Sequence, residues 1–247
     1  MSLKTARTLN ELSVGLSEHF EAISSKIRGK KVLIKASLGY PKPPPFTVDI
    51  KIVRAAANIL RKLGAAKINL IEGSTAIDGS TPIAKMLSFD RIDGLGFIDA
   101  DNTPISKIKV PNGILWDYLY LPKILLEADL KVSIAVLKVE DGAKFYSGVV
   151  KNLLGMPPRR IYRGKRPWAR GKLHQSLSSS IIDLFHAAAF DYGVLDATTM
   201  LRGMANIGKP HEFGTYYFGN DLLEIDKRAL ADAGFQHAFA PLAKHLG

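Results

Sequence analysis

Three charged side chains stand at the ends of apolar segments that have the composition of buried β-strands: Lys35, Glu72 and Lys138. A lysine ammonium group binds carboxylates and phosphates, and a lysine or glutamate removed from water can exchange protons near neutral pH. All three residues are therefore candidates for catalysis, and the two lysines are also candidates for binding an anionic ligand.

Other polar residues that could hold an anion occur in turns and at helix starts. Gly73 and Ser74 would bring backbone N–H groups to the start of a helix, where the helix dipole favours negative charge. His174 stands at the entry to a helix and is a further candidate for acid–base catalysis, whereas Asn152 could bind a ligand or only cap its turn. The predicted ligand-binding residues are Lys35, Gly73, Ser74, Lys138, Lys151, Asn152, His174 and Asn220.

Glu72, Asp196 and Asp221 are candidates for holding a divalent cation or for exchanging protons. Asp221 has a second interpretation, because an aspartate that precedes a helix also caps it. The chain has no cysteine, which excludes disulfide bonds, zinc ribbons and an iron–sulfur cluster ligated by this chain. The residue types leave a divalent metal open as a cofactor.

The positive charge of the chain is concentrated in one segment. The formal charge is +11, from 34 lysines and arginines against 23 acidic residues, and residues 142–182 contain no acidic residue. A block of one sign attracts anions, and interleaved aromatic rings are typical of proteins that bind single-stranded nucleic acid. The aromatic residues in this segment include Phe145, Tyr146, Tyr162 and Trp168, and the predicted basic patch comprises Arg159, Arg160, Arg163, Lys165, Arg166, Arg170 and Lys172.

This basic block has three interpretations. It binds a small anionic ligand, it binds nucleic acid, or it is an exposed arm that packs on an acidic surface of another copy in a homo-oligomer.

Apolar periodicity and turn residues predict an α/β fold. A strand at 31–38, a helix at 49–63 and a strand at 67–71 form a βαβ unit, which favours a parallel sheet with a right-handed crossover. Three prolines interrupt residues 102–123, to which we assign no order. Further strands are predicted at 96–100, 130–137, 192–195 and 215–218, and further helices at 10–27, 81–87, 147–154, 174–189 and 221–232.

The predicted architecture is a mostly parallel sheet of βαβ units flanked by helices, with an N-terminal docking helix and a basic insertion. Residues 1–29 carry the docking helix, and residues 30–247 form the α/β domain, from which residues 156–173 project as an exposed basic excursion. The sequence shows no apolar signal core and no apolar run of roughly 20 residues, so we expect a cytoplasmic protein without a membrane partner.

In an open parallel sheet, ligands bind beyond the carboxyl ends of the strands. Six predicted strands end in polar residues, and we expect these ends to face one composite, cationic cleft. The residues at these ends include Lys35, Glu72, Asp99, Asp101, Lys138, Asp196, Asn220 and Asp221.

Several of these segments, in this order, resemble the DUF362 family over residues 30–235. The matching segments are Val32-Leu-Ile-Lys35, Glu72-Gly73-Ser74, Lys138, the run Gly-Val-Val-Lys-Asn-Leu-Leu-Gly at 148–155, His174, and Gly219-Asn220-Asp221 up to Asp226. The family name, a domain of unknown function, assigns no activity. Relatives in this family often carry an added ferredoxin-like module, which is absent from this chain. This chain also has Lys35-Ala36-Ser37 where relatives have Lys-Pro-Asn, and Lys138-Val139-Glu140 where they have Lys-Thr-His.

The leading functional hypothesis is a cytoplasmic enzyme, or an enzyme-derived protein, that binds a small anionic metabolite in the composite cleft. One alternative is a nucleic-acid-binding module that uses the basic segment 144–172. A second alternative, which the resemblance implies, is an accessory partner of a separate iron–sulfur protein.

Overall fold

The computed structural model describes residues 3–73, 79–140, 142, 145–164, 170–204 and 206–246. The strands are β1 (Lys4–Ala6), β2 (Lys31–Ala36), β3 (Lys67–Glu72), β4 (Leu95–Asp99), β5 (Ile105–Lys109), β6 (Tyr118–Pro122), β7 (Leu130–Val139), β8 (Tyr146–Ser147), β9 (Tyr192–Arg202) and β10 (Lys209–Gly219). The α-helices are α1 (Leu9–Ala22), α2 (Ile50–Lys62), α3 (Thr81–Met86), α4 (Ile124–Glu127), α5 (Arg159–Tyr162), α6 (Gly171–His174), α7 (Leu177–Ala188), α8 (Leu222–Asp232) and α9 (Ala240–Ala243). Short 3₁₀ helices lie at Ser24–Lys26, Phe89–Arg91, Lys151–Gly155 and Gln236–Phe239.

Within the described residues, eight strands form the main sheet, in the order β1-β10-β9-β7-β2-β3-β4, with β8 paired to the end of β7. Strands β9, β7, β2, β3 and β4 run parallel to one another. Strand β10 is antiparallel to β9, and β1 is antiparallel to β10. The prediction of a mostly parallel α/β sheet flanked by helices is confirmed.

The sheet separates two apolar cores, because side chains alternate along each strand. On β2, Val32 and Ile34 face the layer that contains α1 and α2, whereas Leu33 faces the layer that contains α7 and α8. A strand buried on both faces is apolar along most of its length, which is why its sequence predicts a central strand. Helix α2 begins where the Asp49 carboxylate accepts a hydrogen bond from the Lys51 backbone N–H at 2.8 Å.

The N-terminal segment packs against the α/β unit. Strand β1 pairs with β10 at the edge of the main sheet. Helix α1 buries Leu12, Leu16 and Phe20 in the same core as α2. None of the described helices has the length and apolarity needed to cross a lipid bilayer.

The basic segment 156–173 is also integrated into the fold. Met156, Tyr162 and Leu173 are buried in the core on the α7 side of the sheet. The prediction of an exposed excursion is therefore wrong for the described residues of this segment. It failed because the count of basic residues took no account of the apolar side chains between them.

Strands β5 and β6 form a separate two-stranded ribbon within residues 102–123, which the sequence left without order. The ribbon lies on the main domain through Leu119 and Leu121, both fully buried. The turn before β6 is held by Asp183 on α7, whose carboxylate accepts hydrogen bonds from three consecutive backbone N–H groups at 114–116. The phenol oxygen of Tyr162 accepts a hydrogen bond from the Tyr120 N–H at 2.7 Å, which joins α5 to the ribbon.

Replacement of Tyr162 by phenylalanine is expected to destabilise the protein by about 1 kcal/mol, because the Tyr120 N–H loses its partner. Chemical unfolding monitored by circular dichroism measures the change. The exposed Tyr118 provides the control, since Tyr118→Phe removes a hydroxyl from the surface and should leave the unfolding midpoint unchanged. Equal midpoints for both variants would show that the Tyr162 hydrogen bond contributes nothing.

Candidate functional site

A cleft of about 620 Å³ lies at the carboxyl ends of β2, β3 and β7. Parallel strands end at the same edge of a sheet, so residues far apart in sequence meet there. The predicted site residues that line this cleft are Lys35, Glu72, Gly73, Lys138, Lys151, Asn152 and His174.

Lys35 and Glu72 form a buried ion pair at the base of the cleft. Their Nζ and Oε1 atoms are 2.7 Å apart, and the side chains are 1% and 3% exposed. The Glu72 carboxylate also accepts hydrogen bonds from the backbone N–H groups of Leu38 and Gly73. Burial lowers the pKa of Lys35, and the Glu72 carboxylate opposes that shift. A buried pair of this kind needs these additional hydrogen bonds to offset the loss of hydration.

Asn152 completes this network. Its Oδ1 accepts from Lys35 Nζ at 2.9 Å, and its Nδ2 lies 3.0 Å from the Lys35 carbonyl and 3.1 Å from Ser133 Oγ. Lys35 Nζ makes its third contact with the Ala36 carbonyl at 3.1 Å. An ammonium group has three N–H donors, and all three of those on Lys35 have partners inside the protein. Lys35, Glu72 and Asn152 therefore form a hydrogen-bonded network at the base of the cleft, in which the ammonium group of Lys35 has no remaining donor.

Lys151 is differently placed, because its side chain enters the cleft from the 3₁₀ turn that contains it. Across the described part of the chain, its ammonium group has no hydrogen bond or salt bridge, and it lies 6.0 Å from the centre of the Phe145 ring. Burial lowers the pKa of Lys151, and the Glu140 carboxylate opposes the shift. An ammonium group in this position offers its donors to an anion in the cleft.

Lys138 is the second lysine that reaches the cleft outside the buried pair. Its Nζ donates a hydrogen bond to the Phe46 carbonyl and lies 5.1 Å from the centre of the Tyr40 ring. Burial and the positive charge of Lys151 together lower its pKa to about 8, and Glu72 opposes the shift. The positive charge of Lys151 therefore acts on Lys138, and an anion bound in the cleft would offset both charges.

The remaining wall of the cleft is partly apolar. Tyr40, Phe145 and Leu154 line it together with Glu140, which stands where the resembling family has histidine. Tyr40 comes from the proline-rich loop after β2, and no sequence motif singled it out. A loop that follows the carboxyl end of a central strand is the signal that could have identified it.

The run at 148–155 is held in place by a buried carboxylate on α8. Asp226 accepts hydrogen bonds from the N–H groups of Val149 at 2.8 Å and Val150 at 3.0 Å, and from the Tyr146 hydroxyl at 3.0 Å. Burial raises its pKa to about 7, and these three donors oppose the shift. A Cβ atom on Gly148 would lie 2.2 Å from Asp226 Oδ1, so this position requires glycine. The sequence showed Asp226 only as part of the family resemblance.

Gly155, at the other end of the run, also occupies a position where a side chain would not fit. A Cβ atom on Gly155 would lie 2.6 Å from Glu72 Oε1 and 3.1 Å from Lys35 Nζ. The run can therefore approach the buried ion pair only with glycine at this position.

Two arginines of the predicted basic patch share one carboxylate within the protein. Arg159 Nε lies 2.8 Å from Asp101 Oδ2, and Arg170 Nη2 lies 3.5 Å from Asp101 Oδ1. Arg170 is 4% exposed and also donates to the Gly155 carbonyl at 2.8 Å. Burial lowers the pKa of Arg170, and Asp101 opposes the shift. These arginines join the basic segment to the back of the cleft.

The other members of the basic patch differ in position. Arg160 is exposed and donates to the Asp101 carbonyl. Arg163 and Lys172 are exposed, and Lys172 Nζ donates to the Ile161 carbonyl at 3.0 Å. Lys165 and Arg166 lie outside the described residues, as do the predicted ligand-binding residue Ser74 and the aromatic Trp168.

His174 lines the mouth of the cleft but is exposed to solvent. Its Nδ1 lies 2.9 Å from the Arg170 carbonyl, so the imidazole ring is oriented by the backbone of the preceding turn. This position permits contact with a ligand that extends outward from the cleft.

Asn220 and Asp221 do not reach the cleft, and the prediction that the last strand ends there is wrong. Because β10 is antiparallel to β9, its carboxyl end lies at the opposite edge of the sheet. Both residues line a second, shallow depression, and Asp221 caps α8 by accepting from the Glu224 N–H at 3.0 Å. The capping interpretation of Asp221 accounts for its position.

The three predicted metal ligands do not form one site. Asp196 is buried on β9, where its Oδ1 accepts hydrogen bonds from the Thr198 N–H at 3.0 Å and the Thr198 hydroxyl at 2.7 Å. Burial raises its pKa, and those two hydrogen bonds oppose the shift. Glu72 is in the buried ion pair and Asp221 caps a helix. Among the described residues, no group of three or more metal-ligating side chains is present.

Solved structures with a similar fold include two bacterial proteins of low sequence identity. A protein from Thermotoga maritima matches 96% of this chain and 59% of its own length, with 13% identity and a TM-score of 0.51. The lactate racemase apoprotein from Thermoanaerobacterium thermosaccharolyticum matches 94% of this chain and 56% of its own length, with 16% identity and a TM-score of 0.51. This chain thus spans less than two thirds of either protein, and at these identities the similarity concerns the fold.

No curated protein matches the chain. The family model described as a domain of unknown function, DUF362, matches residues 32–231. These residues include the buried ion pair, both cleft lysines, the run at 148–155 and Asp226. By this match over most of its length, the chain belongs to the DUF362 family.

Proposed function

We propose that this protein binds a small carboxylate or phosphate in the cleft and acts on it as an enzyme, or descends from an enzyme that did. The observation that carries the proposal is the ammonium group of Lys151, which lies in the cleft without a hydrogen-bond or salt-bridge partner among the described residues. A cation in such a position is stabilised by an anion that replaces its lost hydration.

The rest of the cleft supports a small ligand with an apolar part. Ligand sites are concave and largely apolar, with a few polar groups that fix orientation. Here Lys138 and Lys151 would hold the anionic group, while Tyr40, Phe145 and Leu154 would contact the remainder of the molecule. If a reaction takes place, Lys138 is the group suited to proton exchange, because its pKa of about 8 lies near neutral pH.

The structural similarity to lactate racemase apoprotein suggests which ligands to test first. Lactate is a small carboxylate with a neighbouring hydroxyl group, and the two cleft lysines suit such a molecule. We therefore place small 2-hydroxy acids before phosphates in the order of testing.

A thermal-shift screen is the direct test of the proposal. The screen would contain small carboxylates including lactate, inorganic phosphate, phosphate monoesters and divalent metals. A ligand that binds the folded state stabilises it by about 2.7 kcal/mol at a concentration one hundred times its Kd. The absence of any stabilising carboxylate or phosphate would contradict the proposal.

Replacement of Lys151 by glutamine is expected to weaken binding of the strongest hit at least tenfold, because a charge-assisted hydrogen bond contributes roughly 1.5–3 kcal/mol. The thermal midpoint without ligand should stay equal or rise, since the variant removes a partly buried charge that has no hydrogen-bond or salt-bridge partner among the described residues. Isothermal titration calorimetry measures the affinity. Lys62→Gln, at an exposed position on α2, is the control and should bind normally. A lower midpoint with unchanged affinity would assign Lys151 to the fold.

A further inference from the structure

The ribbon formed by β5 and β6 has an outer face on which the side chains are exposed to solvent. Side chains alternate along β6, so that Leu119 is fully buried while Tyr118 and Tyr120 are 44% and 40% exposed. Directly across the ribbon, Lys109 pairs with Tyr118 and Lys107 pairs with Tyr120. The outer face therefore presents two tyrosines and two lysines in adjacent positions.

The charge on this face is of one sign. Neither β5 nor β6 contains an acidic residue, and Lys107 and Lys109 are exposed. Lys107 Nζ lies 4.2 Å from the centre of the Tyr118 ring, which holds a cation beside an exposed aromatic surface. Two tyrosines separated by one residue on a strand are about 7 Å apart, so each ring can receive a separate planar group.

The described part of the basic segment adjoins the same ribbon. The hydrogen bond between the Tyr120 N–H and the Tyr162 phenol joins α5 to β6. Arg163 follows Tyr162 directly, and Lys172 is tied to the Ile161 carbonyl at 3.0 Å. Both Arg163 and Lys172 are exposed, so the positive surface continues from the ribbon onto the end of α5.

We propose that the outer face of the ribbon binds single-stranded nucleic acid, with bases stacked on Tyr118 and Tyr120 and phosphates neutralised by Lys107, Lys109, Arg163 and Lys172. This site is separate from the cleft, and it does not depend on the function proposed there. Aromatic side chains on an exposed sheet face, flanked by cations, are the arrangement by which proteins bind single strands without a groove.

An acidic protein partner fits this face less well. Carboxylates would pair with the lysines, but they would leave both tyrosine rings without a planar partner. A single strand supplies a negative charge and a planar base at every nucleotide, which matches the pairing of lysine with tyrosine across the ribbon. The overall charge of +11 favours a polyanion over an isolated acidic side chain.

Fluorescence anisotropy with a labelled oligothymidylate of about twelve nucleotides tests the proposal, using the full chain. Tyr118→Ala and Tyr120→Ala are each expected to weaken binding about fivefold, whereas phenylalanine at either position should retain binding because it keeps the stacking surface. Unchanged thermal midpoints would establish that all four variants are folded. Equal affinities of the alanine variants and the unaltered chain would overturn the proposal.

Two further experiments distinguish binding at this site from the general attraction of a basic protein for polyanions. The double variant Lys107→Gln and Lys109→Gln should reduce the dependence of log affinity on log salt by about 0.7 for each lost phosphate contact. The matched control, Lys51→Gln with Lys62→Gln on α2, removes the same charge from the opposite side of the sheet and should leave this dependence unchanged. An abasic strand should bind more weakly than oligothymidylate. Equal binding of the abasic strand, or of an acidic peptide, would contradict base stacking on the tyrosines.

Discussion

Replacement of Asp226 by alanine is expected to destabilise the fold by about 3–5 kcal/mol, because it leaves three buried donors without an acceptor. The donors are the N–H groups of Val149 and Val150 and the hydroxyl of Tyr146. The same change should abolish binding in the cleft, since the turn that begins at Val149 carries Lys151. One buried carboxylate on α8 thus determines the position of a cleft residue that it does not contact.

Urea unfolding of the Asp226→Ala variant, with ligand binding measured by calorimetry at a temperature where the variant is folded, checks both parts of this expectation. Asp221→Ala on the same helix is the matched control, because it removes an exposed capping carboxylate and should cost about 1 kcal/mol. Tyr146→Phe should cost a similar amount, since the two backbone donors keep their acceptor. A loss in Asp226→Ala no greater than that in Asp221→Ala would show that the carboxylate is not needed to hold the turn.

The meeting of Lys35, Glu72 and Lys138 at one edge of the sheet could be predicted from the sequence. Each follows an apolar segment long enough for a strand, and parallel strands place their carboxyl ends together. The same reasoning failed for Asn220, because apolar periodicity identifies a strand without giving its direction. The sequence predicted strands only at 192–195 and 215–218, whereas β9 extends to Arg202 and β10 begins at Lys209. The six residues 203–208 between them are a hairpin-length connection, and consecutive strands joined in this way are antiparallel.

The sequence could not predict which lysine of the cleft has hydrogen-bond partners within the protein. Lys35 and Lys151 are the same residue type, and each lies beside a short apolar segment. Only the structure shows that Asn152, 117 residues away in sequence, accepts a hydrogen bond from Lys35, while the Lys151 ammonium has no such partner among the described residues. Hydrogen bonds between distant residues leave no periodic signal in one sequence.

The basic segment illustrates the limit of counting charges. Nine basic residues without an acidic neighbour in sequence indicate an exposed cationic surface. The structure supplies an acidic neighbour from elsewhere, because Asp101 pairs with Arg159 and Arg170 across more than 50 positions. The local net charge therefore overestimated the charge that a partner would meet.

The affinity of the cleft for a carboxylate should depend on pH through Lys138. The ammonium form attracts the anion, and the pKa of Lys138 in the folded protein is lowered from its ordinary value of 10.5 to about 8. Binding should therefore be constant below about pH 7 and weaken about tenfold for each pH unit above 8. A carboxylate is the suitable probe, because its own charge does not change in this range. Calorimetry at pH 6–10 measures the profile.

Protonation of Lys138 also affects the stability of the fold. As the pH rises, deprotonation of Lys138 weakens ligand binding but stabilises the folded protein. Because the folded-state pKa lies below the unfolded-state value of 10.5, the unfolded chain holds more protons between about pH 8 and 10.5, and stability from this group rises with pH there. On folding Lys138 tends to lose a proton, and binding of an anionic ligand at pH 8 should restore that proton. The proton uptake is measured as a dependence of the binding enthalpy on the ionisation enthalpy of the buffer. In Lys138→Arg the guanidinium stays charged, so the fall in affinity near pH 8 and the proton uptake should both disappear. An unaltered fall near pH 8 in this variant would assign the titration to another group, with Lys151 the first to examine because its pKa is also lowered.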